Sequence, residues 1–165
     1  MKNLIFFSLF LFISVSSLQA QEATKEDQAQ EARILELMSK KIDIDVDKEL
    51  FMEVTPNTYV SEVPKGVIMA MYVPQDYETS KEKIKNDTPK DFKLEKSGEK
   101  QINGVNVLFM TGTSSAEGVT IKSTIYCIEY DKETCIMAMG MIEENAGKNY
   151  KEAVDKAITS VVKKY

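Results

Sequence analysis

The sequence predicts an α+β protein built on an antiparallel β-sheet that is flanked by helices. Residues 119–129 alternate apolar and polar side chains with the period of a β-strand, and residues 134–142 are apolar on both parities. The second pattern is typical of a central strand that is covered on both faces. A short polar connection joins the two runs, so we expect them to form an antiparallel hairpin.

An amphipathic helix is predicted over residues 150–162, at the end of the chain. Asn149 is a suitable N-cap with Glu152 three residues later, and Lys163 and Lys164 would lie in the last turn, where cations favour the helix dipole. We expect the helix to lie with its apolar stripe on the hairpin, against Ile121 and Ile136. The stripe recurs at three- and four-residue steps and consists of Tyr150, Ala153, Val154, Ala157, Ile158, Val161 and Val162.

Residues 1–20 are predicted to be a secretory signal peptide. Lys2 supplies the basic start, residues 4–15 are almost wholly apolar, and the segment ends in small residues at Ala20. A membrane anchor is the alternative, but a bilayer span needs about 20 apolar residues. We therefore expect residues 21–30 to form a flexible mature N-terminus and residues 31–165 to form a single domain.

Export predicts a periplasmic or extracellular location, and the sequence leaves open which. Without residues 1–20 the chain has 20 basic and 26 acidic residues, a net charge of −6, because Lys2 is the only charged residue removed. The charges are scattered, so we expect no nucleic acid as a partner and no stable membrane anchor after cleavage. The oligomeric state is open.

The region before residue 119 is predicted to contain short helices and strands. Residues 113–118 are expected to form a loop, and Thr79 and Glu82 have capping-box spacing at a helix start. Residues 92–96 have the lysine-rich alternation of an edge strand. The expected helices are residues 29–41 and 79–85, the expected strands are residues 42–47, 66–73, 92–96 and 105–111, and residues 50–54 are a further short apolar run.

Residues 42–47 have two interpretations. The aspartates from Asp43 to Asp47 match the first ligand spacings of a calcium loop, but Lys48 and Val54 stand where that loop needs glycine and glutamate. The alternation of isoleucine and valine with aspartate instead favours a half-buried strand.

Histidine is absent from the chain, and this bears most directly on function. Its absence removes Ser–His–Asp and Cys–His catalysis, the usual zinc sites and the most common general base. The seven glycines form no phosphate-binding loop. We therefore expect no enzymatic activity, no catalytic residues and no cofactor.

Cys127 and Cys135 are the only cysteines and lie symmetrically about Asp131. With an odd loop centred on Asp131 they would face each other across the hairpin at a Cα separation of about 4.5 Å, close enough for a disulfide. With an even loop they would slip by one residue and point to opposite faces. A structural disulfide, buried free thiols and a redox-active pair therefore stay open.

Met137, Met139 and Met141 follow Cys135 on one parity of the second strand. Thioethers in an exported protein can hold Cu(I), which prefers soft ligands, so these three residues are candidate Cu(I) ligands. The alternative is that methionine fills irregular core space beneath a helix. Met69 and Met71 have the same spacing in another strand, which favours this alternative.

The second half of the chain contains, in this order, the segment 103–105, the long strand pair across residues 118–142 and the segment 157–161 of the closing helix. In these features it resembles the Mog1/PsbP-like family of α/β/α sandwiches. The first half is similar more loosely through Pro56 and Tyr59, and the family's usual tryptophan is absent. The resemblance implies an α/β/α sandwich and a binding or assembly module, and it carries over no catalytic residues.

Two functions follow from these observations. The first is an exported, non-catalytic binding or assembly module of the cell envelope, whose partner is another envelope protein. The alternative is a carrier that holds a small apolar ligand or Cu(I) in a crevice beside the methionine-rich strand. A cleft lined by methionine would favour the carrier, and an exposed apolar patch would favour a protein partner.

Overall fold

The computed structural model describes residues 25–86, 91–116 and 118–165, and the predicted signal peptide lies outside these ranges. Within the described part, no helix is long and apolar enough to cross a bilayer. The elements are α1 (Lys25–Ser39), β1 (Met52–Thr55), β2 (Thr58–Ser61), β3 (Gly66–Val73), α2 (Tyr77–Asn86), β4 (Phe92–Ile102), β5 (Val105–Ala116), β6 (Val119–Asp131), β7 (Thr134–Glu143) and α3 (Lys148–Ser160).

The seven strands form one antiparallel sheet in the order β1-β2-β3-β7-β6-β5-β4. The predicted α+β class and the predicted hairpin are confirmed, since β6 and β7 pair directly. The prediction that residues 134–142 form a central strand is also confirmed, because β7 is the fourth of the seven strands. β4 is an edge strand, as predicted, but it continues to Ile102.

One face of the sheet carries the main core. α3 packs on β7 and β3, and α1 lies on the same face through Leu37. The sheet contributes branched aliphatic and aromatic side chains to this core, and α3 contributes Val154 and Ile158, both buried. Burying such side chains is the main favourable term in folding, so this layer fixes how the domain is arranged.

Gly140 of β7 lies in close contact with α3. A Cβ atom at this position would clash with Val154 Cγ1 and lie 3.2 Å from Ile158 Cγ2. The absence of a side chain therefore allows two buried residues of α3 to sit directly on the central strand.

The predicted strand at residues 42–47 is wrong, although its alternation of burial is correct. Ile42 is buried while Asp43 and Asp45 are exposed, yet the segment pairs with no strand in the described chain. Its backbone groups are taken up by side chains instead: Ile42 N donates to Asn57 Oδ1 (2.7 Å) and Asp45 N donates to Ser160 Oγ (2.9 Å). The segment runs beside α3, where Asp45 pairs with Lys156 at 2.9 Å.

The predicted helix starts and one loop also need correction. α3 begins at Lys148 after Gly147, with no side-chain cap, and it ends at Ser160, before Lys163 and Lys164. α2 begins two residues earlier than predicted, because Asp76 accepts hydrogen bonds from Thr79 N (2.8 Å) and Thr79 Oγ1 (2.7 Å).

Residues 113–116 continue β5 rather than form a loop, because they pair with β6. α1 spans Lys25–Ser39, so it begins four residues before the predicted helix and ends two residues before the predicted end.

The expectation that α3 lies against both Ile121 and Ile136 is half right. Ile136 is fully buried beneath α3, but Ile121 pairs with Glu143 and lies on the other face of the sheet. The cause is a β-bulge between Glu129 and Asp131, which inserts one residue into β6. A shift of one residue moves every side chain of a strand to the opposite face.

We predict that Gly140→Ala destabilises the protein by about 1–3 kcal/mol, because the new methyl group overpacks the contact with α3. Urea unfolding of residues 21–165 would measure this. Gly104→Asn is the matched control, because Gly104 has open space around it and asparagine tolerates its φ of 75°. A second Val154→Ala substitution should remove part of the Gly140→Ala penalty; strictly additive losses would contradict the contact.

Candidate functional site

The second face of the sheet collects most of the sulfur in the chain. Six of the nine methionines and both cysteines lie on it, at alternate positions of four neighbouring strands. Met137 of β7 is directly opposite Met71 on one side and Cys127 on the other, and Met139 is opposite Met69. We call this surface the sulfur face: Met69, Met71, Met110, Cys127, Cys135, Met137, Met139 and Met141.

Among the described elements, only α2 covers the sulfur face, and it covers one end of it. Tyr77 and Ile84 of α2 pack against Leu108, Cys127 and Cys135. The five methionines of β3 and β7 remain half-buried. The prediction that both faces of β7 are covered therefore holds only at this end, and the β7 methionines do not fill core space beneath α3.

The two cysteines lie on the same face but are not directly opposite each other. Cys127 is opposite Met137, and Cys135 is opposite Glu129, so the cysteines are diagonal neighbours. Neither geometry considered from the sequence is found. The loop of β6–β7 is even, because Asp131 pairs with Thr134, and the bulge then adds the further shift that returns Cys127 to the face of Cys135.

Both cysteines are free thiols, with exposed fractions of 1% and 0%. The neighbouring Cys135 thiol and burial raise the pKa of Cys127. Cys135 accepts a hydrogen bond from Ser80 Oγ at 3.7 Å, and the interaction with Cys127 lowers the pKa of Cys135.

α2 is held over the cysteines by polar contacts at its first two turns. Gln75 Nε2 donates to Ser80 Oγ (2.8 Å), and Lys81 forms an ion pair with Glu99 of β4 (2.8 Å). Burial, and next the charge of Glu99, raise the pKa of Tyr77 well above its ordinary value. The hydrogen bonds from Thr79 lower the pKa of Asp76, which is the N-cap of α2.

Two open clefts lie elsewhere on the molecule. One, of about 550 Å³, is lined by Arg33, Asp76 and Glu133 among others, and Arg33 forms an ion pair with Glu133. The other, of about 470 Å³, is lined by residues 118–120, Glu144 and Asn145. No methionine lines either cleft, so neither is the crevice expected beside the methionine-rich strand.

The structure brings the predicted Cu(I) candidates Met137, Met139 and Met141 into one row, and it adds Met69 and Met71 opposite them. The sequence did not show that the methionines of β3 and β7 are neighbours, because the pairing of these strands joins residues far apart in the chain. Within the described ranges, no group of three or more His, Cys, Asp or Glu side chains could hold a metal.

No family model matches the chain, and no curated protein matches it. Among solved structures, the chain is similar to LpqN of Mycobacterium tuberculosis, which is involved in cell envelope biogenesis, with a TM-score of 0.49, 13% identity and coverage of 70% of this chain and 79% of LpqN. It is also similar to PA94 of Pseudomonas aeruginosa, a protein of unknown function, with a TM-score of 0.48, 12% identity and coverage of 76% and 86%. Similarity at this level supports no inference about function.

We predict that Asp76→Ala exposes the buried thiols. Losing the cap should loosen the first turn of α2, and Cys127 and Cys135 should then react faster with a thiol reagent under native conditions. Asp76→Asn is the matched control, because asparagine caps helices nearly as well. Equal reaction rates for the alanine variant and the unaltered protein would show that α2 does not protect the thiols.

We predict that acid, like Asp76→Ala, makes Cys127 and Cys135 more reactive toward a thiol reagent. The pKa of Asp76 is lower in the folded protein than in the unfolded chain. Its stabilisation of the first turn of α2 is therefore complete above the unfolded pKa of about 3.9, and it is lost as the pH falls through the folded pKa. A thiol reagent that works in acid would measure this, and Asp76→Asn should abolish this part of the pH dependence.

Proposed function

We propose that this protein is an exported, non-catalytic binding module of the cell envelope that holds another envelope protein on its sulfur face. The observation that carries the proposal is the half-buried row of methionines on β3 and β7, left open beyond the end of α2. Extended apolar surface of this kind marks interaction sites in water-soluble domains. The proposal includes a Mog1/PsbP-like sandwich, supported by α1 and α3 on one face of the sheet and α2 on the other.

A protein partner fits the shape of the sulfur face better than a small apolar ligand does. The methionines lie on an open sheet surface, and the two clefts described above are lined by other residues. Small ligands favour concave pockets that bury most of their surface. Methionine side chains are flexible and polarizable, so a flat surface of them can adapt to the apolar side chains of a partner.

The charge around the sulfur face indicates the chemistry of the partner. Glu129 and Glu143 lie on the same face, opposite Cys135 and Ile121 respectively, whereas the charge of Glu99 is paired with Lys81. The chain without residues 1–20 has a net charge of −6, from 20 basic and 26 acidic residues. We therefore infer a partner segment that is apolar on one side and carries Lys or Arg at its borders, since complementary charge speeds association and fixes orientation.

The absence of histidine supports a non-catalytic role. The two cysteines of the sulfur face are both buried beneath α2. Cysteine catalysis needs an accessible thiolate with a neighbouring base.

The second candidate function is a carrier of a soft metal ion. The observation that favours it is the segregation of sulfur, because the core face beneath α1 and α3 is built from side chains without sulfur at the matching positions of β3 and β7. Thioethers and thiolates select Cu(I), and this chemistry requires no crevice.

We predict that Met139→Glu weakens capture of the partner from native envelope by about tenfold or more, because a buried carboxylate would face apolar partner surface. Immobilised residues 21–165 would be used as bait, and bound protein would be quantified by mass spectrometry. Val63→Glu is the matched control, because Val63 is 85% exposed and lies between β2 and β3. Equal capture by the two variants would exclude the sulfur face as the binding surface.

We predict that the protein recovered from its native cells begins at Gln21, because cleavage after Ala20 would remove the apolar segment. N-terminal sequencing or intact mass would measure this, after separation of the envelope from the cytoplasm. An intact Met1 start in the cytoplasmic fraction would contradict export.

A further inference from the structure

The sulfur face is continuous from its open part to the two buried thiols. Met69 and Met139 form one opposed pair, and Met71 and Met137 form the next pair along the strands. Met137 is in turn opposite Cys127, which is buried beneath α2. Methionines therefore occupy neighbouring register positions from the open part of the sulfur face to the thiols.

At the buried end of this row, three sulfur-containing residues occupy neighbouring positions on the sheet. Cys135 and Met137 are two residues apart on β7 and share a face, while Cys127 is directly opposite Met137. Directly opposed side chains have Cβ atoms about 4.5–5.5 Å apart. Cys127 and Cys135 are diagonal neighbours on the same face, and both are buried in one cluster beneath α2.

We propose that Cys127, Cys135 and Met137 form a binding site for a soft monovalent cation, Cu(I) or Ag(I), which reaches them through Met69, Met71 and Met139. This site rests on the carrier function proposed above and names its ligands. Thiolate and thioether sulfur together are the ligand set that Cu(I) prefers.

The composition of the site argues against Zn²⁺. Structural zinc sites take four ligands from Cys, His, Asp and Glu, and the described chain offers no cluster of three such side chains. Thioether sulfur is a ligand for soft cations, so Met137 adds affinity for Cu(I) but little for zinc. Each coordinating thiol loses its proton to solvent when the cation binds.

The cover over the site also fits a bound cation. Tyr77 and Ile84 exclude water from the thiols, while Ser80 Oγ lies 3.7 Å from Cys135 Sγ and can donate to a metal-bound thiolate. Such hydrogen bonds to ligand atoms tune metal affinity. The half-buried Met137 connects this shielded end to the open part of the sulfur face.

The test is an anaerobic titration of reduced residues 21–165 with Cu(I), in competition with a chromogenic Cu(I) chelator. We expect one tightly held equivalent and a thiolate-to-Cu(I) absorption band. Met137→Leu should weaken binding about tenfold or more, whereas Met141→Leu should change it less than about twofold, because Met141 is opposite Val67 and away from the thiols. Both substitutions preserve volume, so the fold should be kept.

A Cys127→Ser/Cys135→Ser variant should lose the absorption band, with circular dichroism reporting whether it is folded. Zn²⁺ added under the same conditions should not displace Cu(I). The proposal is overturned if the chelator retains all the Cu(I), if Met137→Leu and Met141→Leu behave alike, or if Cys127 and Cys135 form a disulfide that resists reduction in the folded protein. The Cu(I) titration uses isolated protein and the capture experiment uses native envelope. Either proposal can therefore fail while the other is supported.

Discussion

The contact between α3 and Gly140 determines the arrangement of the rest of the domain. Because the glycine has no side chain, Val154 and Ile158 pack directly on the central strand, and α3 covers that face of β7. The alternation of a strand then sends Met139 and Met141 to the other face. The chemistry of the sulfur face is thus a consequence of where the closing helix lies.

The two faces differ in stiffness as well as in composition. Branched and aromatic side chains beneath α3 have few rotamers and specify one packing, whereas methionine can repack against different surfaces. α2 reaches only the thiol end of the sulfur face, where Asp76, Ser80 and Glu99 hold it in place. α2 therefore shields Cys127 and Cys135 from solvent and leaves the flexible methionines of β3 and β7 uncovered beside them.

The sequence alone predicted the features that depend on local periodicity: the hairpin of β6 and β7, the central position of β7, the edge strand and the existence of the closing helix. It did not predict the features that depend on non-local pairing. The alignment of Met69 and Met71 with the β7 methionines requires residues far apart in the chain to become neighbours. Helix starts were also missed, because several polar residues near each start could act as the cap.

The most consequential miss concerns one residue. Asp131 pairs with Thr134, and if that register continued, Cys127 would be opposite Ala138 and Ile121 would share the face of Ile136. Tyr130 is the extra residue of the bulge, and its ring packs against Tyr72 at 4.9 Å and Tyr165 at 5.4 Å, on the core side of the sheet. The bulge at Tyr130 places Cys127 on the sulfur face, while the ring of Tyr130 packs on the core face. The composition of the sulfur face therefore depends on one inserted residue whose side chain lies on the opposite face.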